Sequence, residues 1–292
     1  KVFISIKSTT GVDLTSAQKT NLETALAPYK VASITPVVVD AETTSLILGI
    51  TIMYDSSSTT YTASQIASLV STTVSNYSDT SLGTFNSPFR HSRLLGLIDN
   101  TDTSILNSIT TVTLAKLFTP TLSTATDYRI NFNNKFYNPV SGYNSVDGGI
   151  IASTGFYLGS VTTTTYFFDD DGSGNLRIYS LVAGVRTYTN NTAGTIDYIN
   201  GLITINQITM TGVAEVDGTT STQIRITAIP NSYDITPVRN QILEIDLINT
   251  NVTASVDAIS STGVGFSTTT TSAGTTTTTV SSVSSNPSSS AY

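Results

Sequence analysis

An acidic segment near the middle of the chain has the spacing of a calcium loop. Asp169, Asp171 and Ser173 stand where an EF-hand loop has its ligands at positions 1, 3 and 5, and Gly174 stands at position 6. Position 12 is Ser180 instead of the bidentate Glu, and the flanking residues alternate like strands. Two interpretations stay open: an acidic hairpin tip, which the missing ligand favours, and a weak calcium site formed by Asp169, Asp171 and Ser173.

The chain has one histidine, His91, so a Ser-His-Asp triad would have to use it. Arg90 and Arg93 lie beside it, and no Gly-x-Ser-x-Gly elbow places a serine nucleophile in the sequence. We therefore predict no catalytic residue here. Arg90, His91 and Arg93 are instead candidates for an interface with a carboxylate-rich partner surface.

Paired carboxylates for glycoside cleavage could come from any two of Glu215, Asp234, Glu244 and Asp246. Glu244 and Asp246 alternate with apolar residues, which places both on the wet face of one predicted strand. An acidic exposed strand also discourages accidental edge pairing. We predict that the protein is not an enzyme, has no cofactor and takes no small-molecule substrate.

Composition excludes several classes of protein. The chain has 292 residues, 13 Lys plus Arg, 20 Asp plus Glu, a net charge of −7 and no cysteine. Without a basic patch we expect no nucleic-acid binding, and without cysteine there is neither thiolate catalysis nor a disulfide framework. The apolar run at 46–53 is too short for a membrane helix, so we expect no membrane partner. The chain starts inside a strand-like pattern without Met, which we interpret as a fragment that lacks its N-terminal portion.

Residues 1–122 mix helical and strand periods and are predicted to form an α+β domain. The predicted elements are a strand through Ile6, a turn at Gly11, a helix that ends at Pro28, strands at 33–39 and 46–54, a helix from 62, a short helix at 87–98 and a strand at 110–118. The strand at 46–54 is apolar on both faces and is expected to be central. With one inserted helix, this is the strand, helix, strand, strand, helix, strand order of a ferredoxin-like split βαβ domain.

Both long helices carry start signals. Thr15 and Gln18, and again Thr62 and Gln65, have the spacing of a capping box. In the first helix, residues 22, 25 and 26 are predicted to form the buried stripe. In the second, the helical period of Ile66, Leu69, Val70, Val74 and Tyr77 predicts a buried face.

Residues 123–250 lose the helical period and read as an all-β sandwich or barrel. Asn200 and Gly201 predict a type I′ hairpin, and 217–218 predicts another turn. Residues 251–292 form a Ser/Thr-rich tail with few apolar side chains. Because such a tail cannot bury enough surface to order itself, we expect an extended arm that a neighbouring subunit holds.

Several segments resemble the C-terminal part of the baseplate wedge protein of T-even-like contractile-tailed bacteriophages, a relative of the baseplate J family. The resemblance rests on their order and spacing: residues 33–40 (SITPVVVD), 87–94 (SPFRHSRL), 97–100 (LIDN) with 102–106 (DTSIL), and 117–120 (LFTP).

The resemblance implies a structural subunit of the tail baseplate. Such a subunit is expected to be a homodimer within a six-fold ring around the central hub, to bind other wedge subunits, and to take part in baseplate assembly and sheath-contraction triggering. It would be assembled in the host cytoplasm and reside in the virion. The family supplies no catalytic residues.

Two further functions compete with this one. The acidic, cysteine-free, Thr-rich composition also fits a bacterial surface-layer or adhesin fragment, which an export signal would support. A polysaccharide-degrading enzyme rests only on the β-rich second half.

Overall fold

The computed structural model describes residues 1–8, 14–30, 34–143, 148–159, 163–215, 219–257, 266–272 and 275–281. The described structure is 18% helical and 45% strand, so the fold is rich in β-sheet, with few helices. The turns predicted at Gly11 and at 217–218 lie outside the described residues.

Helices and strands are numbered in chain order within the described residues. The helices are α1 (Ser16–Leu26), α2 (Ala63–Ser81) and α3 (His91–Asp99). The strands up to the middle of the chain are β1 (Val2–Ile6), β2 (Pro36–Asp40), β3 (Glu42–Tyr54), β4 (Ile105–Phe118), β5 (Thr126–Asn131), β6 (Ile151–Ser153), β7 (Phe156–Leu158) and β8 (Tyr166–Asp170). The later strands are β9 (Asn175–Val182), β10 (Val185–Asp197), β11 (Leu202–Ile208), β12 (Met210–Val213), β13 (Ile224–Ala228), β14 (Gln241–Ile245), β15 (Asn251–Val256), β16 (Phe266–Ser272) and β17 (Thr275–Ser281).

Both predicted capping boxes are confirmed. The Thr15 hydroxyl accepts the Gln18 backbone N–H and the Gln18 side chain accepts the Thr15 N–H, so two free donors of α1 are satisfied. Thr62 and Gln65 do the same for α2. Helix α1 ends at Leu26, where a 3-10 turn that contains Pro28 takes over.

The helices bury different amounts of surface. Ile66, Val70, Val74 and Tyr77 of α2 are buried as predicted, whereas Leu69, predicted on the same face, is only half-buried. The buried stripe predicted for α1 was wrong, because none of its residues is buried and Leu22 is exposed. The third helix starts at His91, later than predicted, because the preceding Phe89 forms a β-bridge with Ile235.

The order of elements up to residue 118 is the predicted one, but the ferredoxin-like arrangement is not confirmed. β1 pairs with β2 in parallel as a two-stranded sheet of its own, with α1 as their connection. A split βαβ fold would keep these two strands apart in one sheet with β3 and β4. The observed pairing is that of a plain βαβ unit, and element order alone does not determine which strands pair.

Among the residues that the structure describes, thirteen strands form the main sheet, which extends along the order β14, β3, β4, β13, β6, β8, β9, β10, β11, β5. β3 is central, as predicted: it pairs with β4 on one side, and with β14 and β15 in parallel on the other. One face of β3 is fully buried, including Leu46, Leu48, Ile50 and Ile52. These residues share one hydrophobic core with α2, α3 and the inner residues of the later strands.

Strands from the last third of the chain return to the first third. β13 pairs with β4, and β14 and β15 pair with β3, so the sheet crosses the predicted boundary at residue 122. The predicted tail starts with β15, which belongs to this sheet, and continues into an antiparallel pair, β16 with β17. The division into 1–122, 123–250 and 251–292 stays a prediction.

Two local predictions need correction. The connection from β10 to β11 is four residues long and only Gly201 has a positive φ, 66°, so it is not the type I′ turn predicted from Asn200 and Gly201. The Asp197 carboxylate instead accepts the Ile199 and Asn200 N–H groups, and this shapes a longer loop. Asp246 lies after the end of β14 and therefore does not share a strand with Glu244.

Within the residues that the structure describes, no helix has the length and apolar character needed to cross a membrane.

Candidate functional site

A buried ion pair forms the centre of the acidic segment. Asp169 at the end of β8 pairs in register with Arg177 of β9, and both side chains are nearly inaccessible to water. The Arg177 guanidinium donates to Asp169 Oδ1 through Nε at 2.9 Å and to Oδ2 through Nη2 at 3.3 Å. Nη2 also donates to the Asp170 carbonyl at 2.7 Å. This bidentate geometry satisfies a charge that burial would otherwise make costly.

Two groups from β10 complete this Asp169 cluster. Arg186 Nη1 and the Tyr188 hydroxyl donate to Asp169 Oδ2, at 2.9 and 2.8 Å. The two guanidinium groups also stack on tyrosines: Arg177 lies 4.2 Å from the ring centre of Tyr188, and Arg186 lies 4.8 Å from that of Tyr179. The cluster therefore ties three neighbouring strands together through charge, hydrogen bonds and cation–π contacts.

Burial and the Asp169 carboxylate change the acidity of the surrounding groups. Burial, followed by the hydrogen bond to Asp169, raises the pKa of Tyr188 from 10.0 to about 12. Burial also raises the pKa of Tyr179. For Arg186 burial lowers the pKa, but the hydrogen bond to Asp169 and the electrostatic attraction of Asp169 and the neighbouring tyrosines together outweigh it, and the net shift is upward. Both tyrosines thus stay neutral, and Arg186 stays charged, over the physiological range.

Asp170 is fully buried and organises the neighbouring backbone. Its Oδ1 accepts the N–H groups of Gly149, Ile150 and Ile151 at 3.0 to 3.3 Å. Its Oδ2 accepts the Gly172 N–H at 3.2 Å and the hydroxyl of Tyr198 at 3.0 Å. Burial, with Asp170 nearby, raises the pKa of Tyr198. Asp170 therefore fixes the start of β6 against the β8–β9 turn.

Asp171 closes the turn between β8 and β9. Its carboxylate accepts the backbone N–H groups of Ser173 at 2.7 Å and Asn175 at 2.9 Å, and the Asn175 side-chain amide at 2.6 Å. Burial raises the pKa of Asp171, but the hydrogen bonds from Asn175 and Ser173 outweigh it, and the net pKa is lowered.

The structure thus separates the three candidate calcium ligands. Asp169 is directed to two arginines and a tyrosine, whereas Asp171 accepts from the turn itself, in which Ser173 contributes its backbone N–H. Among the described residues, no group of three or more acidic, histidine or cysteine side chains is arranged to hold a metal. Calcium binding by Asp169, Asp171 and Ser173 remains a hypothesis.

The predicted interface residues lie at the start of α3. Arg90 forms a surface ion pair with Asp234 at 3.6 Å, and Asp234 also accepts the backbone N–H of His91 at 2.9 Å. The His91 ring lies 3.3 Å from the Thr110 carbonyl through Nε2 and makes an edge contact with the Tyr233 ring, 5.1 Å between centres. Arg93 is exposed. The three residues share a short segment but face different partners.

The four carboxylates considered for glycoside cleavage have separate surroundings. Glu244 pairs with Lys7, Asp234 pairs with Arg90, and Asp246 accepts the N–H groups of Ile248 and Asn249 in the turn after β14. Glu215 is exposed at the end of a described range. Neither of the two ion pairs, nor the turn after β14, brings a second of these four carboxylates into contact.

Sequence reasoning missed two apolar features. One is the tip between β9 and β10, where Leu181, Val182 and Val185 are exposed; the apolar run LVAGV could have indicated it. The other is a pocket lined by tyrosines that includes Tyr143 and Tyr233. These two residues are 90 positions apart, so the sequence carries no local signal for the pocket.

Comparison with known families supports the resemblance. Residues 1–39 match the family described as "Baseplate structural protein gp6, C-terminal domain I", and residues 46–117 match "Baseplate structural protein gp6, C-terminal domain III". The first match covers the βαβ unit up to the last residues of β2, and the second covers most of β3, both following helices and most of β4. No significant match was found among curated proteins.

Proposed function

We propose that this chain is a structural protein of a phage tail baseplate, the C-terminal part of a baseplate wedge protein, and that it forms the inner ring around the central hub. Baseplate assembly and the triggering of sheath contraction are its proposed roles, with assembly in the host cytoplasm. The observation that carries the proposal is the pair of family matches, which follow one another along the chain; the first covers most of the βαβ unit and the second covers part of the main sheet with α2 and α3.

The βαβ unit supports a role in subunit contacts. None of the residues of α1 is buried, and Phe3 of β1 is 67% exposed. Tyr29 is 84% exposed and Ile34 is also exposed. A unit this small cannot bury a core by itself, so an apolar surface of this kind fits a protein neighbour.

This βαβ unit is also connected to the main sheet by charge. Lys7, directly after β1, pairs with Glu244 of β14. Both side chains are partly exposed, so the pair adds little stability but fixes a relative position. A displacement of the βαβ unit by a neighbouring subunit would therefore also act on β14, at the edge of the main sheet. If the interface with that neighbour has two discrete arrangements, a switch between them would move the wedge protein as well.

The proposed partners are a second copy of this chain, other wedge subunits and the hub. The net charge of −7 disfavours a phosphate backbone as partner. A carboxylate-rich surface of a partner is proposed to contact Arg90, His91 and Arg93. Arg93 is the best position for a substitution that tests this contact, because Arg90 already pairs with Asp234. The region after β15 is proposed to be an arm held by a neighbour, and arm residues that resist protease in the isolated chain would argue against this.

Mass measurement of the purified chain, alone and mixed with wedge proteins of the same phage, tests the proposal. We expect a dimer and at least one mixed complex. A strict monomer that binds none of the wedge proteins would refute the wedge role.

A matched pair of variants tests the contact surface. Phe3→Asp places a charge on the exposed side of β1, and Leu122→Asp places the same charge on an exposed residue elsewhere. We expect Phe3→Asp to weaken complex formation and Leu122→Asp to leave it unchanged, with thermal unfolding confirming that both variants fold. Equal behaviour of the two variants would exclude the βαβ surface.

A further inference from the structure

The turn between β9 and β10 presents an apolar tip to solvent. Leu181, Val182 and Val185 are 54%, 58% and 67% exposed. The turn consists of Ala183 and Gly184, both with positive φ, 52° and 80°, as in the tight turns that join antiparallel strands. Val182 and Val185 are the last cross-strand pair before the turn and share one face of the hairpin, whereas Leu181 lies on the opposite face, where it pairs with Arg186. Exposed aliphatic side chains paired at the end of a hairpin are unfavourable in water and are typical of a surface that contacts a partner.

The Asp169 cluster holds this tip in place. Arg186 lies directly after the tip and Tyr188 two residues further on, and both donate to the buried carboxylate. Tyr179 of β9 pairs in register with Tyr188 and stacks on Phe167 of β8, with ring centres 5.5 Å apart. The tip therefore projects from an ordered base, which reduces the entropy lost when it binds.

A pocket of about 380 Å³ offers a matching apolar surface. Its walls include Tyr137, Tyr143, Ile229, Pro230 and Tyr233, and the described residues that line it carry no charge. The Tyr137 and Tyr143 rings meet edge to face, 5.5 Å between centres. Pockets of roughly 300 to 1,000 Å³ accept small ligands, so this one is of a size for a few aliphatic side chains.

The tip and the pocket lie at opposite ends of β9. The pocket wall packs on the turn before β9, where the Gly142 N–H and the Asn138 amide both donate to the Gly172 carbonyl, at 2.9 and 3.1 Å. β9 has eight residues, so its far end is about 26 Å away at roughly 3.3 Å per residue. A chain cannot fill its own pocket with its own tip.

We propose that the tip formed by Val182 and Val185 of one copy inserts into the tyrosine-lined pocket of a second copy. A two-fold axis across β9 places each tip at the other copy's pocket, so a single apolar contact is made twice. A second copy is favoured over another protein because each chain carries both halves and neither half carries charge that would repel its counterpart. The inference rests on the proposed function for the dimer and assigns residues to it.

The contact is an anchor within a larger interface. A stable dimer buries about 1,200 to 2,000 Å², more than a tip and a pocket provide. Apolar anchors in desolvated pockets nevertheless carry much of the affinity of such interfaces. A charge placed on the tip should therefore weaken the dimer, although the surrounding contacts remain.

Disulfide trapping tests the proposed contact directly, because the chain contains no cysteine of its own. Val182→Cys on the tip and Asn231→Cys at the pocket are made in separate chains with different tags, mixed and oxidised. Both positions are exposed, so folding should be preserved. We expect a disulfide that joins the two tagged chains, and none above background when Ser68→Cys on the exposed side of α2 replaces Asn231→Cys.

Absence of that disulfide overturns the inference. If the wild-type chain is a dimer by mass and the disulfide is still absent, only this contact is wrong and the proposed function stands. If the chain is a monomer that also binds no wedge protein, the proposed function fails with it. A disulfide in a chain that binds no wedge protein supports the contact and counts against the wedge role alone.

A charge substitution gives an independent readout. Val182→Glu should weaken the dimer about tenfold or more, as loss of a central apolar anchor does. Val256→Glu, at a half-exposed valine on β15, is the matched control and should leave the dissociation constant unchanged. Sedimentation equilibrium measures both, and equal dissociation constants for the two variants contradict the proposal.

Discussion

Arg177 and Asp169 lie opposite one another on β9 and β8, and the arginine reaches both oxygens of the carboxylate. The side chains are only 8% and 2% exposed, so water screens the two charges little. Without the Asp169 carboxylate, the buried Arg177 guanidinium would lose this counter-charge and keep its hydrogen bond to the Asp170 carbonyl, which carries no full charge.

Asp169→Ala should reduce the free energy of unfolding by about 3 to 5 kcal/mol, the usual effect of breaking a buried ion pair. Asp234→Ala is the comparison: its pair with Arg90 is half-exposed and such pairs contribute about 0 to 1 kcal/mol, to which the lost hydrogen bond from the His91 N–H adds about 1 kcal/mol. Urea denaturation measures both. A loss for Asp169→Ala as small as that of Asp234→Ala would mean that Arg177 finds other compensation.

The raised pKa of Tyr188 predicts sensitivity to alkali. Its pKa is 10.0 in the unfolded chain and about 12 in the folded protein, so folding favours the protonated phenol. This stabilisation is complete below pH 10 and is lost as the pH rises through 12. Tyr188→Phe should therefore make stability less dependent on pH in that window and should cost about 1 kcal/mol at neutral pH through the lost hydrogen bond.

Thermal unfolding between pH 9 and 12 tests this dependence. Tyr29→Phe serves as the control, since Tyr29 is 84% exposed and should leave the profile of the wild-type chain unchanged. An unchanged slope for Tyr188→Phe would mean that other groups, such as Tyr198 with its raised pKa, dominate the alkaline loss.

Two glycines have nearly the same backbone conformation but different surroundings. Substitution of each by alanine therefore separates the cost of backbone strain from the cost of a steric clash. Gly172 and Gly159 have φ of 71° and 68°, where a side chain is unfavourable by about 1 to 2 kcal/mol. A Cβ at Gly172 would lie 1.9 Å from the Tyr143 carbonyl oxygen, whereas a Cβ at Gly159 has nothing described within 4 Å. Gly172→Ala should thus destabilise the protein by several kcal/mol beyond Gly159→Ala and should disturb the tyrosine-lined pocket. Similar losses for both variants, measured by urea denaturation, would show that the 142–143 backbone moves readily.

The sequence was sufficient for elements whose signals are local. The capping boxes at Thr15 and Thr62 predict helix starts because the side chain and its backbone partner are three residues apart. The buried stripe of α2 follows from its period for the same reason. Helix α1 forms, but its predicted stripe is not buried. Burial requires another element of the fold to cover the stripe, and the helical period of the sequence does not show whether one does.

Strand pairing was beyond sequence reasoning because its partners are far apart along the chain. β3 pairs with β15 across about two hundred residues, and the polar composition of β15 predicts a tail instead of a strand. The aspartates show the same limit. In the sequence, Asp169, Asp170 and Asp171 form one acidic run that resembles a calcium loop. In the structure, side chains alternate along β8, so Asp169 forms an ion pair, Asp170 accepts backbone N–H groups, and Asp171 accepts from the turn.

The position of those aspartates decides what calcium should do. An oxygen-rich loop binds calcium only when several carboxylates are free to face one ion. Asp169 would have to leave two guanidinium groups and a tyrosine hydroxyl, and Asp171 would have to release the turn. We therefore expect no heat on calorimetric titration with millimolar calcium chloride and no change in the thermal unfolding midpoint.

A heat signal would contradict this expectation, and Asp171→Asn would then show its source. Loss of the signal in that variant would place the ion at the β8–β9 turn. A signal that persists would place it elsewhere in the chain. Magnesium chloride at the same concentration is the matched control, because a general effect of divalent ions on a chain with a net charge of −7 would appear with both salts.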